Sequence, residues 1–281
     1  MHLIGRRYKA DEYRGLKDIY VDANTHTERH ANPLSPEEIA QGGGRFVDFH
    51  FDGSVYGAFP SRVTAIHCIE MPKGPPVTIK WDDDSGATMT MRAAPGLTAF
   101  FDTAQLYNLL TDEEKELVEH SRWEPAPYPF AWTGTRKLRS CGFGYAPGGE
   151  VVPLDQLPEW TPENVYQFPM VWINPVTGEK GLHIMDDVVR KLYFKPSVDG
   201  PETVVEDLDK IRTWLNNIVD RVCNPEYIAI PPYDEGDLLL FNNWGVLHSA
   251  IDYPPSYGPR LSKTTPLEIF NKDVQNLILI C

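Results

Sequence analysis

The sequence predicts a mainly β protein, an antiparallel barrel or jelly roll with flanking helices. The 281 residues include 25 prolines and 21 glycines. These break the chain into short apolar runs, a pattern typical of many short strands and turns. Strand and helix signals also do not alternate regularly, as they would in a doubly wound sheet. We therefore expect sheet to dominate and helices to be few.

Predicted strands come from short runs rich in β-branched and aromatic residues. They are Arg45 to Tyr56, Val63 to Glu70, Val77 to Trp81, Ala87 to Arg92, Leu97 to Phe101, Val171 to Ile173 and Leu238 to Leu247.

Three helical regions are predicted between these strands. The first starts at Ser35 with an N-cap residue, a proline and two acidic residues, and ends at the glycines from Gly42 onward. The second follows Thr103 and restarts at Thr111, where a capping-box pattern precedes apolar residues. In the third, apolar residues recur every three or four positions between 205 and 222, which indicates an amphipathic helix.

Charge and cysteine content narrow the range of partners. The formal net charge is -14, and no run of Lys or Arg is present, so neither nucleic acid nor an anionic membrane is an expected partner. No apolar stretch of about 20 residues appears. Cys68, Cys141, Cys223 and Cys281 lack close pairing, which favours reduced thiols and a cytoplasmic location. The length suits one domain over residues 1–281.

His50 and Asp52 are the first candidate metal ligands. They lie two apart in a predicted strand, so both side chains would project from one face. With a second imidazole from a distant strand they would form the two-His, one-carboxylate triad that suits Fe(II). The pattern is weak alone, because 8 histidines and 40 acidic residues in 281 give about one such pair by chance. A hydrogen-bonded core pair stays open, since a buried unpaired carboxylate is costly.

A rival pair is His26 with Glu28, and His26 and His30 also have the i, i+4 spacing used by zinc sites on helices. The surrounding residues are polar and show no apolar periodicity. A solvated loop is therefore the favoured interpretation of this segment.

The candidate third ligand is His248. The segment from Glu235 to Ser249 starts with a turn, continues as an apolar run and delivers His248, and Arg260 follows twelve positions later. This segment resembles the distal-histidine strand of the TauD/TfdA-like 2-oxoglutarate oxygenases, the taurine and 2,4-D dioxygenase family. Other motifs similar to that family are His50-Phe51-Asp52-Gly53, Pro95-Gly96-Leu97-Thr98-Ala99-Phe100-Phe101-Asp102 and Asn174-Pro175-Val176-Thr177-Gly178.

The resemblance implies a double-stranded β-helix (cupin-like), with an insertion between the first and second ligand motifs. It implies Fe(II) bound by His50, Asp52 and His248, with 2-oxoglutarate and O2 as co-substrates. It also assigns Thr98 and Arg260 to the 2-oxoglutarate carboxylate, and a guanidinium suits that role because it pairs bidentately with carboxylates.

The implied activity is hydrogen abstraction from a small metabolite, giving hydroxylation, desaturation or oxidative ring closure with release of succinate and CO2. A carboxylate at Asp52 fills the position that a halogenase of this type leaves for chloride. Candidate substrate-binding residues flank the two ligand motifs: Tyr56, Phe59, Ile251 and Tyr253.

The substrate itself is less constrained. The interval of 198 residues from His50 to His248 resembles the fungal branch that includes xanthine dioxygenase. The residues after Arg260 (261–266) lack the amide side chains expected for binding a purine. Only 49 residues precede His50, so part of the usual N-terminal substrate wall is expected to be missing or rebuilt. An amino acid or a secondary-metabolism intermediate is favoured, and a xanthine-like purine is the alternative.

Two other classes of function remain open at this point. A zinc or manganese hydrolase or isomerase could use the same three ligands, but it would not need Thr98 or Arg260. A non-catalytic jelly-roll binding module would keep the His/Asp pair for structure alone. His67 and His183 have no motif around them, and we expect both to be structural.

Overall fold

The fold was analysed in a computed structural model, which describes residues 2–13, 16–21, 26–53, 56–82 and 87–267. The strands are β1 (His2–Arg6), β2 (Tyr8–Tyr13), β3 (Leu16–Val21), β4 (Gly43–Gly44), β5 (Val63–Glu70), β6 (Val77–Asp82), β7 (Thr88–Ala93), β8 (Thr98–Asp102), β9 (Arg122–Pro125), β10 (Phe168–Pro169), β11 (Val171–Ile173), β12 (Lys180–Leu182), β13 (Val189–Phe194), β14 (Thr203–Val205), β15 (Ile228–Ala229), β16 (Leu238–Asn242), β17 (Val246–Ala250) and β18 (Arg260–Leu267). The α-helices are α1 (Pro36–Ala40), α2 (Thr103–Asn108), α3 (Asp112–Glu119), α4 (Pro129–Trp132) and α5 (Leu208–Val219). The prediction of a mainly β protein with few helices is confirmed.

Two antiparallel sheets pack face to face and carry the residues of interest. One has the strand order β1-β18-β5-β16 and the other β15-β8-β17. Phe100 on β8 and Phe241 on β16 meet edge to face with ring centroids 5.0 Å apart, so the core lies between these sheets. The smaller sheets are β4-β6-β7, β10-β9-β13-β14, β2-β3 and β11-β12. Among the described strand pairs, only β4 with β6 is parallel.

The predicted single strand from Leu238 to Leu247 is wrong, because the chain turns between two strands. The amide of Gly245 donates to the carbonyl of Asn242 at 2.9 Å, and the Asn242 side chain accepts from the amide of Trp244. Asparagine and glycine favour this turn chemistry. As a result β16 pairs with β5 in one sheet, while β17 pairs with β8 in the other.

The predicted strand from Arg45 to Tyr56 is also not regular. The described part is extended but joins β17 and the residues after it only through bridges at Phe46–Ile251 and His50–His248. Between these bridges, the amide of Phe49 donates to the carbonyl of Gly142, and the amide of Asp48 donates to the side-chain hydroxyl of Ser249 on β17 and not to a backbone carbonyl. The segment therefore holds its shape through mixed partners and not through one ladder.

All three predicted helical regions are confirmed. Ser35 and Thr111 form the capping boxes of α1 and α3. The amphipathic region is α5, which the Asp207 side chain caps by accepting from the amides of Asp209 and Lys210. Its buried face includes Ile211, Leu215, Ile218 and Val219.

Cys68, Cys141 and Cys223 are buried free thiols, as expected, and Cys281 lies outside the described residues. Within the described ranges, none of the helices has the length and apolar character needed to cross a membrane.

Candidate active site

The side chains of His50, Asp52 and His248 converge, and we call them the metal triad. Each offers one ligand atom, and the three atoms lie within 4.8 Å of one another. Asp52 Oδ1 is 3.9 Å from Nε2 of His50 and 3.7 Å from Nε2 of His248. Of the residues that the structure describes, these three form the only such group of potential metal ligands.

The backbone explains why residues 198 apart in sequence meet. His50 and His248 form a reciprocal bridge, in which each amide donates to the other's carbonyl at 3.0 and 2.8 Å. Their imidazole rings therefore lie side by side, with centroids 4.4 Å apart. Asp52 follows two residues later in a turn, and its carboxylate reaches both rings.

The surroundings of His50 orient its ring for metal binding. Its Nδ1 lies 3.0 Å from the carbonyl oxygen of Asp48 and donates to it, which leaves Nε2 free for a ligand role. Burial by itself would lower the pKa of His50, but the Asp48 and Asp52 carboxylates outweigh it and the pKa is raised.

His248 is more deeply enclosed. Phe100 stacks on its ring at 6.0 Å and Phe241 packs at 4.8 Å. Burial, followed by the charge of His50, holds the pKa of His248 well below its usual value. The imidazole is therefore neutral, which is the form that binds a metal.

The metal triad fits a divalent ion that accepts mixed nitrogen and oxygen ligands. Two donors on one ion at about 2.1 Å each must lie within about 4.2 Å of each other, and both distances to Asp52 Oδ1 meet this limit. Oδ2 of Asp52 is buried without a hydrogen-bond partner among the described residues. An unpaired buried carboxylate oxygen is costly, so a cation at this position would relieve a real deficit.

Thr98, Tyr233 and Arg260 form a second polar group, which we call the diacid pocket. The Thr98 hydroxyl lies 3.0 Å from that of Tyr233, and Nη2 of Arg260 approaches both, at 3.5 and 3.3 Å. Thr98 starts β8 and Arg260 starts β18, so the pocket spans the two packed sheets. The structure thus brings together the two residues that the sequence predicted for 2-oxoglutarate.

The diacid pocket lies next to the metal triad. On β8, Phe100 pairs with His248 and Thr98 pairs with Ala250. Thr98 is therefore two residues, roughly 7 Å, along the strand from the Phe100–His248 pair and on the same face. This separation suits a short dicarboxylate that reaches from one group to the other.

Among the residues that the structure describes, Arg260 has no acidic partner. Arg260 is 8% exposed, and within those same residues its Nε has no hydrogen-bond partner and no carboxylate forms an ion pair with it. A buried guanidinium without a counter-charge is unfavourable. The pocket is therefore suited to an anionic ligand.

Sequence reasoning missed Tyr233. Its hydroxyl partners, Thr98 and Arg260, are 135 and 27 residues away in the chain. No local pattern marks a tyrosine in the loop before β16, so only the folded structure identifies it.

Tyr56 and Phe59, two of the predicted substrate-binding residues, each pack against other aromatic rings. The Tyr56 hydroxyl accepts from the amide of Thr161 at 2.8 Å, and its ring packs on Tyr128 at 4.6 Å. Phe59 is 52% exposed. Its ring neighbours, with which it forms what we call the aromatic wall, are Tyr166, Phe168, Trp172 and Trp244.

Ile251 and Tyr253, the other two, are buried and lie apart from this wall. Ile251 bridges Phe46, and its amide donates to the carbonyl of Leu97 at 3.2 Å. Tyr253 lies under the guanidinium of Arg6, 5.0 Å from the ring centroid. The structure therefore does not gather the four predicted residues into one surface.

His30, at the end of the segment predicted as a solvated loop, is buried, so the prediction is wrong for this residue; Glu28 is exposed, as expected. His30 is 2% exposed, it bridges Leu138, and its Nδ1 lies 3.0 Å from the carbonyl oxygen of Arg139. Burial lowers the pKa of His30 to about 4. The missed signal is long-range, because the pairing segment lies more than 100 residues further along the chain.

The packed antiparallel sheets and the His/Asp/His group define a protein of the two-histidine, one-carboxylate metal class. Comparison with known proteins gives the family. The model of the family described as taurine catabolism dioxygenase TauD, TfdA family matches residues 4–265. The chain belongs to this family, which confirms the resemblance found from the sequence motifs and the jelly-roll fold that it implied.

Curated fungal relatives agree with this assignment. An alpha-ketoglutarate-dependent dioxygenase, bsc9, of Alternaria brassicicola is 36% identical over 93% of this chain and 66% of its own length. Another, fc-dox of Phomopsis amygdali, is 35% identical over 92% of this chain and 65% of its own length. The alpha-ketoglutarate-dependent xanthine dioxygenase xanA of Emericella nidulans is 35% identical over 86% of this chain and 63% of its own length. The chain thus spans about two thirds of the length of the curated relatives that it matches.

Proposed function

We propose that this chain is an Fe(II)- and 2-oxoglutarate-dependent oxygenase acting on a small metabolite. One observation carries the proposal: a buried arginine, without an acidic partner in the described part of the chain, lies beside a two-histidine, one-carboxylate group in a family of dioxygenases. An Fe(II) site needs the two-histidine, one-carboxylate group, and a dicarboxylate co-substrate needs the arginine. A zinc hydrolase or a structural His/Asp pair would leave the arginine unexplained.

In this proposal His50, Asp52 and His248 hold Fe(II). When bound with 2-oxoglutarate and O2, the iron supplies the oxidising chemistry that removes a hydrogen from a substrate C–H bond, while 2-oxoglutarate leaves as succinate and CO2. The protein's part would be to supply these three ligand atoms, which lie within 4.8 Å of one another. Because Asp52 supplies a carboxylate, oxygenation, desaturation or ring closure is favoured over halogenation.

The diacid pocket would bind the carboxylate of 2-oxoglutarate that is remote from the iron. The Arg260 guanidinium provides charge and two or more N–H donors, and the hydroxyls of Thr98 and Tyr233 add further hydrogen bonds. Burial strengthens these contacts because few water molecules compete for the charge.

The substrate is proposed to be an amino acid or an intermediate of secondary metabolism, and Tyr56, Phe59, Ile251 and Tyr253 remain the candidate residues for its site. Phe59 and the aromatic wall offer an apolar surface, which suits a partly apolar metabolite. A xanthine-like purine is the second candidate, since relatives named xanthine dioxygenase are 32–35% identical to this chain. We further propose that residues 1–281 form one domain and that the enzyme works in the cytoplasm.

A substrate screen tests this function. Purified protein with Fe(II), 2-oxoglutarate and O2 is incubated with panels of amino acids, secondary metabolites and purines, and succinate is measured. We expect at least one compound outside the purine panel to stimulate succinate formation. Stimulation by xanthine alone would support the second candidate. No succinate with any compound, and no 2-oxoglutarate consumption in its absence, would count against oxygenase function.

A further inference from the structure

Asn243 is a buried amide between the two strands that follow one another near the metal triad. Its residue exposure is 0%. Its Oδ1 accepts from the backbone amide of Asp52 at 2.8 Å, and its Nδ2 donates to the backbone carbonyls of Asp52 at 2.9 Å and Ser61 at 2.8 Å. All the hydrogen bonds shown for this side chain thus involve backbone atoms of Asp52 and Ser61.

These bonds connect parts of the chain that sequence separates widely. Asn243 is 191 residues from Asp52, whereas it is only five residues from His248. Its backbone amide also donates to the carbonyl of Arg62 at 2.8 Å. Asn243 therefore joins the turn that carries one metal ligand to the turn that leads into the strand of another.

The local structure shows why such a link is needed. His50 and His248 are held directly by their reciprocal backbone bonds, but Asp52 lies in a turn outside any strand. Both the amide and the carbonyl of Asp52 are satisfied by the Asn243 side chain. Without it, two part-buried backbone groups of Asp52 would lose their partners, and the backbone that carries the carboxylate would no longer be held in place.

The adjacent Asn242 provides a contrast. Its side chain accepts from the amide of Trp244, two residues away, and so acts within its own turn. The turn also has a backbone bond from the amide of Gly245 to the carbonyl of Asn242, so Asn242→Ala removes one local side-chain bond and keeps the contacts that Asn243 makes to Asp52 and Ser61. Substituting each of the two asparagines therefore distinguishes a change in the local turn from loss of the contacts to Asp52.

We propose that Asn243 is a positioning residue that sets the Asp52 carboxylate relative to His248, and thereby sets the affinity and geometry of the metal site. The inference rests on the proposed metal site. Residues that orient metal ligands from outside typically change metal affinity about 10- to 100-fold when altered.

The test uses Co(II) alone as the probe, with no 2-oxoglutarate or substrate. Dissociation constants and the visible absorption bands of bound Co(II) are measured for wild type, Asn243→Ala, Asn243→Asp and the matched control Asn242→Ala. Asn243→Asp keeps the size and the acceptor for the Asp52 amide but loses both donated bonds. Far-UV circular dichroism and thermal melts show which variants fold, and if Asn243→Ala does not fold, the aspartate variant decides.

We expect the Asn243 variants to bind Co(II) about 10- to 100-fold more weakly with shifted bands, and Asn242→Ala to match wild type in both. Equal affinity and equal spectra in wild type and the Asn243 variants would overturn the positioning role and leave the metal site intact. The same loss in Asn242→Ala would also overturn it, since general disruption of the turn would then suffice. If wild type bound no Co(II), the proposed metal site and this inference would both fail.

Discussion

Two regions of the molecule differ in how their side chains are held. One is the metal triad together with the diacid pocket, and the other is the aromatic wall. Thr98 and His248 lie on paired strands, and Arg260 starts a strand of the facing sheet. Phe59, by contrast, lies between the Asp52 turn and β5, half exposed, and contacts rings from several separate segments. A fixed frame suits the proposed binding of iron and 2-oxoglutarate, because it holds the ligand groups at set distances from one another. A wall built on connecting segments can vary with the substrate.

The polarity of the two regions differs in the same way. The diacid pocket and the metal triad each contain a buried atom that has no hydrogen-bond partner within the described ranges, namely Nε of Arg260 and Oδ2 of Asp52. The arginine nitrogen favours an anionic ligand, and the carboxylate oxygen favours a cation. The aromatic wall has few polar groups, so it limits shape and apolarity but not chemical identity. This is why the structure supports the co-substrate more strongly than the substrate.

The largest expected effect comes from removing a triad ligand. His248→Ala should reduce succinate formation to the level of a control without enzyme, because two remaining ligands do not hold iron in an oxidising site. His67→Ala, which alters a half-buried histidine on β5, is the matched control and should stay active. Succinate release by His248→Ala at the wild-type rate would disprove the role of His248.

A smaller loss is expected in the diacid pocket. Arg260→Gln should raise the KM for 2-oxoglutarate about 10- to 150-fold, since a hydrogen bond to a charged group contributes about 1.5–3 kcal/mol. Arg260→Lys keeps the charge without the planar fork and should fall between wild type and Arg260→Gln. Steady-state kinetics measures the KM for 2-oxoglutarate, and Co(II) titration measures metal affinity separately. An unchanged KM for 2-oxoglutarate in Arg260→Gln would show that Arg260 does not bind 2-oxoglutarate.

Tyr233→Phe should produce a weaker version of the same change. Loss of one neutral hydrogen bond of about 0.5–1.5 kcal/mol corresponds to a KM for 2-oxoglutarate about 2- to 12-fold higher. The ring remains, so the melting temperature should change little. Tyr227→Phe, on a half-buried tyrosine outside the pocket, is the control. A rise in the KM of both variants would show that the effect is not specific to the pocket.

A substitution in the aromatic wall should change substrate binding without changing the binding of 2-oxoglutarate or metal. Phe59→Ala should leave the KM for 2-oxoglutarate and Co(II) affinity unchanged, while it raises the KM for an accepted metabolite about 2- to 12-fold, because an aromatic contact contributes about 0.5–1.5 kcal/mol. Kinetics with each compound varied in turn measure both constants. A changed KM for 2-oxoglutarate with an unchanged KM for the substrate would contradict the proposal that Phe59 contacts the substrate and not 2-oxoglutarate.

The last expected effect concerns stability in acid and not turnover at neutral pH. His183 lies behind the aromatic wall, stacked on Trp172 at 4.2 Å and packed on Phe51 at 4.1 Å. Burial lowers the pKa of His183 to about 3, while the unfolded chain titrates near 6.5. Between these values the unfolded state binds one more proton, so the free energy of unfolding falls as pH falls from 6.5 towards 3.

His183→Phe removes this proton uptake and should lose less stability than wild type between pH 7.5 and pH 5. Urea unfolding at both values measures the difference, and the pH 7.5 data serve as the reference for any packing cost. An identical loss in both proteins would mean that His183 does not contribute to acid sensitivity.

Several features were predictable from sequence because they depend on local patterns. The capping boxes at Ser35 and Thr111, the amphipathic α5 and the strands from Val63 and Val171 all follow from the nearby residues. His50, Asp52 and His248 could be selected because their motifs resemble a known family. Thr98 and Arg260 were found in the same way.

The remaining features depend on contacts between distant segments. The sequence predicts that Asn243 lies within a continuous strand, so neither the turn at 242–245 nor the bonds from Asn243 to Asp52 could be foreseen. Tyr233 and the burial of His30 likewise depend on partners far away in the chain. The aromatic wall could be predicted only in part, because Phe59 carries no sign of which rings will surround it.

The most direct test of the central claim is the visible absorption spectrum of anaerobic protein with Fe(II) before and after 2-oxoglutarate is added. We expect a weak charge-transfer band to appear on addition, to be lost in His248→Ala, and to require a higher 2-oxoglutarate concentration in Arg260→Gln. Fe(II) binding by the wild-type protein without any such band at saturating 2-oxoglutarate would contradict the assignment of the metal triad and the diacid pocket to one oxygenase site.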